Sequence, residues 1–276
     1  MGVFCYNEIM TENQCAILKK AENLVEEILA NEPSGHDWWH IVRVRNLARE
    51  IGEQEHANLF ICELAALLHD LADEKISGSK YIGLSAVKSW LQENQVSQAD
   101  REHILEIIQW LSFKGGSQPS QTLTLEGQIV QDADRLDAIG AVGIARVFAY
   151  SGAKGRLIHD PNKLPREDFT LEEYRNGQET AIMHFYEKLL LLKDLMNTDY
   201  GKEKAKRRHE FLEIYLKEFY DENLKSIIKY DELNETDYMK VLESYLRNNG
   251  SVKVVSQELF YHKNTICYKI NKIEEI

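Results

Sequence analysis

Proline is scarce in this sequence, with four in 276 residues, and cysteine is equally so. Few prolines and few stretches of alternating apolar and polar residues leave little to interrupt a helix, so the chain reads as nearly all α. The cysteines, Cys5, Cys15, Cys62 and Cys267, show no C-x-x-C spacing. That argues against a cysteine zinc site or a disulfide framework and makes reduced thiols the expectation. There is no run of about 18 apolar residues, and the amino terminus lacks a basic segment followed by an apolar one. A cytoplasmic protein with no membrane partner is expected. Positive charge is also short: 33 Lys and Arg stand against 45 Asp and Glu, a net charge of −12, which argues against nonspecific nucleic-acid binding by the whole molecule. The deficit is uneven, because residues 237–276 hold six basic against five acidic residues, leaving −13 on residues 1–236.

What is present is an ordinary globular composition, 43% hydrophobic and 28% charged, in a chain long enough for one large domain and a small one. Residues 11–31 carry apolar positions at helical spacing, and Pro33-Ser-Gly35 ends that helix. A second helix runs from Asp37 to about Ile51, with Trp38 and Trp39 at its start read as core, or alternatively as a pocket wall. A third, about 57–71, is apolar on most sides and expected to be central. Helices near 82–94, 99–113 (with His103 structural or on the surface), 123–150 and within 171–220 follow, interrupted by an irregular flap over 151–170. Arg207-Arg208, after Lys202, Lys204 and Lys206, read as a solvated face, and residues 218–236 as a polar linker. The division expected is therefore 1–217, a linker over 218–236, and 237–276.

The third helix ends in Leu67-Leu-His-Asp-Leu71. His69 and Asp70 are two metal-ligand types side by side, and burying both costs several kcal/mol unless each finds a partner. The plain alternative is a helix terminus with a solvated aspartate. Upstream, His36-Asp-Trp-Trp-His-Ile41 puts His40 in the first turn of the second helix; downstream, Gln131-Asp-Ala-Asp-Arg-Leu-Asp-Ala138 puts three carboxylates in an apolar helical run. Imidazole with carboxylate suits Mn, Fe, Co, Ni or Zn better than Mg or Ca. Four such ligands leave a position open on the ion, as hydrolysis requires.

The order His, then His-Asp, then Asp, each on its own helix, resembles the HD-domain superfamily of metal-dependent phosphohydrolases, closest to its small nucleotide-pyrophosphohydrolase-like branch, over roughly residues 10–215. The resemblance implies an all-α HD-domain bundle, a divalent cofactor held by His40, His69, Asp70 and one downstream Asp, and a phosphorylated, nucleotide-like substrate. The superfamily's Ala-Asp-Arg-Leu pattern matches residues 133–136 and points to Asp134 as the fourth ligand. Asp132 and Asp137 stay open as alternatives, with Asp137 placed to hydrogen-bond a ligand histidine and Asp132, off that face, to cap or pair locally. By the same resemblance Asp73 is expected as general acid or base with Glu74 as its alternative, and Lys75 as a phosphate contact. The plain reading of these three is an exposed charged loop. His36-Asp37 is expected to orient His40 or reach the leaving group; Arg43 and Arg135 are either phosphate contacts or internal ion-pair partners.

From Asp237 the pattern changes. An amphipathic stretch over 238–246 ends at Asn248-Asn-Gly250; Ser251 is placed to cap a short helix over 252–259; a tight turn, Phe260 to Lys263, precedes a last helix capped by Asn264 or Thr265 that carries Ile266, Ile270 and Ile273 inward. This stretch closely resembles the C-terminal helix-turn-helix of PucR-like transcription factors. The resemblance implies DNA as a partner, with His262, Lys263, Asn264, Thr265, Tyr268 and Lys269 facing the major groove or phosphates. So few lysines near the reading helix would bind DNA weakly as a single copy, so a homodimer on paired half-sites is expected. The leading expectation is a hydrolase coupled to a DNA-binding module; the competing one is a transcription regulator whose HD domain senses a ligand without chemistry.

Overall fold

The computed structural model describes residues 10–30, 37–72, 79–111, 123–160, 163, 165–166, 179–223, 225–248 and 250–275. Among these the regular elements are helices, with no strand: α1 (Glu12–Leu29), α2 (Trp38–Gln54), α3 (Leu59–Leu68), a 3₁₀ turn (His69–Ala72), α4 (Lys80–Glu93), α5 (Gln98–Leu111), α6 (Leu125–Asp137), α7 (Gly140–Ala153), α8 (Ala181–Glu187), a second 3₁₀ segment (Leu189–Leu195), α9 (Asp199–Asn223), α10 (Lys225–Asn234), α11 (Tyr238–Arg247), α12 (Val252–Glu258) and α13 (Lys263–Glu275). Six helix starts are fixed by short polar side chains. Thr11, Asp37, Asn58, Ser79, Thr124 and Thr180 each accept a hydrogen bond from a backbone N–H of their own first turn.

All ten residues of α3 are buried, so the most apolar helix becomes the axis on which α1, α2, α5 and α6 pack. Its one charge, Glu63, is satisfied by Arg45 of α2 at 2.7 Å, and Arg45 also meets Glu22 of α1. These charges therefore tie α1, α2 and α3 together around the element that carries the His-Asp pair. A second, smaller core gathers Ile227, Tyr238, Val241, Tyr245, Val255, Ile266, Ile270 and Ile273 from α10 to α13.

Several expectations change. The run 123–150 is two helices, bent by 70° at a break where Gly140 adopts φ +78°. A Cβ on Gly143 would lie 2.2 Å from the Ala138 carbonyl oxygen, so the corner closes only without a side chain there. The α-helical part of the third helix stops at Leu68, and His69–Ala72 tighten into the 3₁₀ turn. Residues 218–236, expected as linker, are helical over most of their length, and Ile227 and Tyr230 enter the small core. Trp38 packs on the large core, but Trp39 is 63% exposed. Among the described residues no single helix is long and apolar enough to cross a membrane; the α6–α7 pair passes by length and composition but is broken at its corner.

Candidate metal centre

His40 enters through the start of α2. The Asp37 carboxylate accepts the His40 backbone N–H at 2.7 Å, which fixes the imidazole in the first turn, fully buried. Asp37 thus positions His40 through its backbone, as the sequence suggested; His36 lies outside the described residues. The ring's Nδ1 stands 2.7 Å from Asp137 Oδ2. Burial acts to raise the Asp137 carboxyl, but hydrogen bonds from His40 and Arg43 and the charge of Arg146 hold it far below the usual carboxylate range. An ionised carboxylate only accepts, so Nδ1 carries the proton and the Nε2 lone pair points the other way. There it meets Asp70 Oδ2 at 3.4 Å and Asp134 Oδ1 at 3.6 Å.

His69 is built on the same principle. Its Nδ1 lies 2.7 Å from the Ala66 carbonyl, which again only accepts, so Nε2 keeps a lone pair. That Nε2 is buried and makes no hydrogen bond of acceptable geometry, with Asp70 Oδ1 3.2 Å away. The two imidazoles stand edge to face, 5.4 Å between centroids. The consecutive residues His69 and Asp70 open the 3₁₀ turn, and their side chains approach each other to 3.2 Å.

The three carboxylates of α6 have separate roles because they occupy separate faces. At 100° per residue Asp134 and Asp137 lie about 60° apart, whereas Asp132 is about 160° from Asp134. Asp134, with a side chain 35% exposed, borders both histidines. Asp137 points at the back of His40. Asp132 is fully buried on the far side and accepts the backbone N–H groups of Asn197 and Thr198 (2.9 and 2.8 Å) and the Thr198 hydroxyl (2.8 Å). It caps the approach to α9, across 65 residues of sequence and not locally as expected.

One ligand atom each from His40, His69 and Asp134 lie within 4.8 Å of one another. Ligand atoms about 2.1 Å from one ion and at right angles stand about 3 Å apart, so the separations of 3.2 to 3.6 Å around Asp70 and Asp134 are close to a coordinating set. The field points the same way. Burial lowers His40, outweighing Asp137 and Asp70; at His69 burial also opposes the charged form, but the carboxylates of Asp70 and Asp134 win and raise it. A site that draws a proton onto a buried imidazole also draws a divalent cation. The residues present therefore fit a cation with mixed nitrogen and oxygen ligands.

Two residues that sequence reasoning passed over complete the surroundings. Arg146 of α7 reaches Asp137 Oδ2 at 2.9 Å, joining Arg43, whose Nε is 2.7 Å from Oδ1. A single arginine in an otherwise apolar helix was the available signal. Arg208, assigned to a solvated face, donates to the Leu136 carbonyl, and its stem packs where a Gly140 Cβ would lie. Both offset a carboxylate at a helix C-terminus, where the macrodipole opposes negative charge. Arg43 is thus an internal partner, and Arg135 donates to the Leu195 carbonyl. His103 bonds the Thr124 cap of α6 at 2.7 Å, a structural role. Asp73, Glu74 and Lys75 lie outside the described residues.

In the small domain His262, Lys263, Asn264 and Tyr268 are exposed, and Thr265 half-buried. The cap differs from expectation: α13 starts at Lys263, and His262 Nδ1 accepts the Asn264 N–H at 3.3 Å. Lys269, expected to face DNA, instead pairs with Asp237 and lies 4.6 Å from the centre of the Tyr261 ring, which pins α13 to the start of α11.

Comparison with known proteins agrees with both parts. Residues 38–139 match the family model of the HD domain, and residues 238–276 that of the PucR C-terminal helix-turn-helix domain. YpgQ of Bacillus subtilis, an uncharacterized protein, is 44% identical over 199 residues, 71% of this chain and 89% of YpgQ. Its crystal structure in complex with ADP superposes with a TM-score of 0.62 at 39% identity, covering 76% of this chain and 96% of that one. A crystal structure from Lactobacillus plantarum gives a TM-score of 0.70 at 42% identity (77% and 97% covered). One of an HD-superfamily hydrolase from Bacillus thuringiensis gives 0.60 at 43% (77% and 99%).

Proposed function

This chain belongs to the HD-domain family and carries a helix-turn-helix domain of the PucR C-terminal type, and from that premise we propose that it is a divalent-metal-dependent phosphohydrolase acting on a nucleotide, in the cytoplasm, with a DNA-binding module attached. One observation carries the reading: two buried imidazoles, each with its proton drawn to Nδ1 from behind, turn their Nε2 lone pairs toward two carboxylates. His40, His69, Asp70 and Asp134 would hold the ion, with Mn, Fe, Co, Ni or Zn favoured by imidazole ligands. Such an ion supplies Lewis acidity and an activated water at neutral pH. The chain's own residues supply the frame: Asp137 orients His40, and Arg43 and Arg146 keep Asp137 ionised. A nucleotide substrate is supported by the ADP complex of YpgQ, and DNA binding by the helix-turn-helix match. Asp73, Glu74 and Lys75, three to five residues beyond Asp70, stand in this reading as proton donor or acceptor and phosphate contact, and His36 as a substrate contact, whereas Arg43 and Arg135 are engaged with Asp137 and the Leu195 carbonyl.

The experiment is a screen of nucleoside mono-, di- and triphosphates with the protein reconstituted with Mn²⁺ or Co²⁺, reading phosphate and pyrophosphate release, beside His69→Ala. Metal-dependent release that His69→Ala abolishes is the expected result. Stoichiometric nucleotide binding with no turnover under any metal would overturn hydrolysis. It would favour the second reading, which the helix-turn-helix itself supports: a regulator whose HD site senses the nucleotide and whose DNA affinity follows occupancy.

A further inference from the structure

Helix α9 buries Gly201, Ala205, His209, Leu212 and Leu216 against the body of the protein. Roughly opposite them runs a stripe at 4-3-4 spacing, Arg207, Phe211, Ile214 and Glu218, every member exposed. Phe211 is 45% and Ile214 57% exposed. Single exposed apolar residues are common and mean nothing alone. The order of this stripe is what carries information. The pairs Arg207/Glu218 and Phe211/Ile214 share one midpoint, between Leu212 and Glu213, so the stripe is complementary to itself read backwards.

The charges on α9 also run against the helix's own interest. Lys202, Lys204, Lys206, Arg207 and Arg208 outnumber Asp199, Glu203 and Glu210 in its N-terminal half, and Glu213, Glu218, Asp221 and Glu222 outnumber Lys217 in its C-terminal half, so its acidic last turn opposes the macrodipole. Lys204 and Arg208 have uses within the chain, with Glu50 and the Leu136 carbonyl. Among the described residues Arg207 and Glu218 have no ion-pair partner.

We infer that this face of α9 is the seam of a two-fold homodimer in which the helix pairs antiparallel with its own copy. A two-fold axis through the midpoint sets Phe211 against Ile214 of the second copy and Arg207 against Glu218 of the second copy, each contact made twice. The apolar pairs supply the attraction and the flanking ion pairs fix register and direction. A second copy is the occupant because the complementarity is to this stripe itself, and because a small helix-turn-helix with few basic residues needs two half-sites to bind usefully.

The test is sedimentation equilibrium of the full chain, with far-UV circular dichroism as the check on folding. Wild type is expected at about 64 kDa, twice the 32.0 kDa chain. Arg207→Glu and Glu218→Arg each place like charges together and are expected to weaken the dimer at least tenfold; the double exchange Arg207→Glu/Glu218→Arg restores it. A wild-type protein that stays monomeric overturns the inference. So does a dimer indifferent to both single changes, or one that the double exchange fails to restore.

Discussion

Replacing Asp137 with Asn changes one oxygen to nitrogen and almost no volume, yet it acts on the site in two ways. The carboxylate accepts from His40 Nδ1 at 2.7 Å, Arg43 Nε at 2.7 Å and Arg146 at 2.9 Å. Without its charge the two guanidiniums lose their counterion. Removing one partner of a buried ion pair costs about 3–5 kcal/mol. Side chains 33% and 17% exposed for Arg43 and Arg146 put the expectation at the lower end, about 3 kcal/mol, or about 6–12 °C in Tm for a domain of this size. The second effect falls on metal binding. The neutral amide no longer selects the Nδ1–H form of His40, so the Nε2 lone pair facing Asp70 and Asp134 is lost in part of the population. Outer partners of ligand histidines carry 10- to 100-fold in metal affinity, which is about 1.4–2.8 kcal/mol. Isothermal titration with Mn²⁺, paired with ¹⁵N shifts of the His40 ring, measures both. If Asp137→Asn keeps wild-type Mn²⁺ affinity while only its Tm falls, the orientation argument is refuted and Asp137 is a structural counterion alone.

Three further expectations follow from the same geometry. Asp134→Ala abolishes metal binding with little change in Tm, whereas Asp132→Ala costs about 3 kcal/mol through its lost charge-accepting hydrogen bonds and leaves metal stoichiometry intact; the reverse pattern in metal analysis and melting would show that the two were assigned the wrong way round. Gly143→Ala forces a Cβ against the Ala138 carbonyl, so its urea midpoint falls by the equivalent of about 3 kcal/mol, and an unchanged midpoint would mean the corner yields freely. Burial acts to raise the Asp237 carboxyl, but its hydrogen bonds from Lys269 and Tyr261 win and hold it below its usual value of 3.8; a depressed carboxyl contributes stability above that value and loses it as pH falls further. The Tm gap between wild type and Asp237→Asn should therefore be full at pH 7 and close below about pH 4; a gap that persists at lower pH contradicts the pairing.

The sequence alone determined the class of the fold, because apolar spacing is a local rule, and its resemblance to the HD-domain superfamily pointed to the ligand candidates. Apolar spacing marked the helices, Pro33-Ser-Gly35 the end of α1, and the types and order of His40, His69, Asp70 and an aspartate in 132–137 were legible without any contact. Helical phase even separated Asp132 from Asp134. The small module was legible for the same reason, since Ile266, Ile270 and Ile273 recur at helical spacing and turn inward as read.

Tertiary structure decided whatever depends on the partner across a face. Asp137 faces the back of His40 because α2 packs there, and Asp132 caps residues 197 and 198 because that segment covers the opposite side. Arg146 and Arg208 joined the site only because the chain bends by 70° beside Gly140 and α9 returns across that corner. Lys269 looked like a hand held out to DNA and is tied to Asp237, 32 residues earlier. A side chain's chemistry is written in its own residue, but the charge it spends that chemistry on is set by whichever distant segment packs nearest, and no spacing rule along the chain encodes that distance.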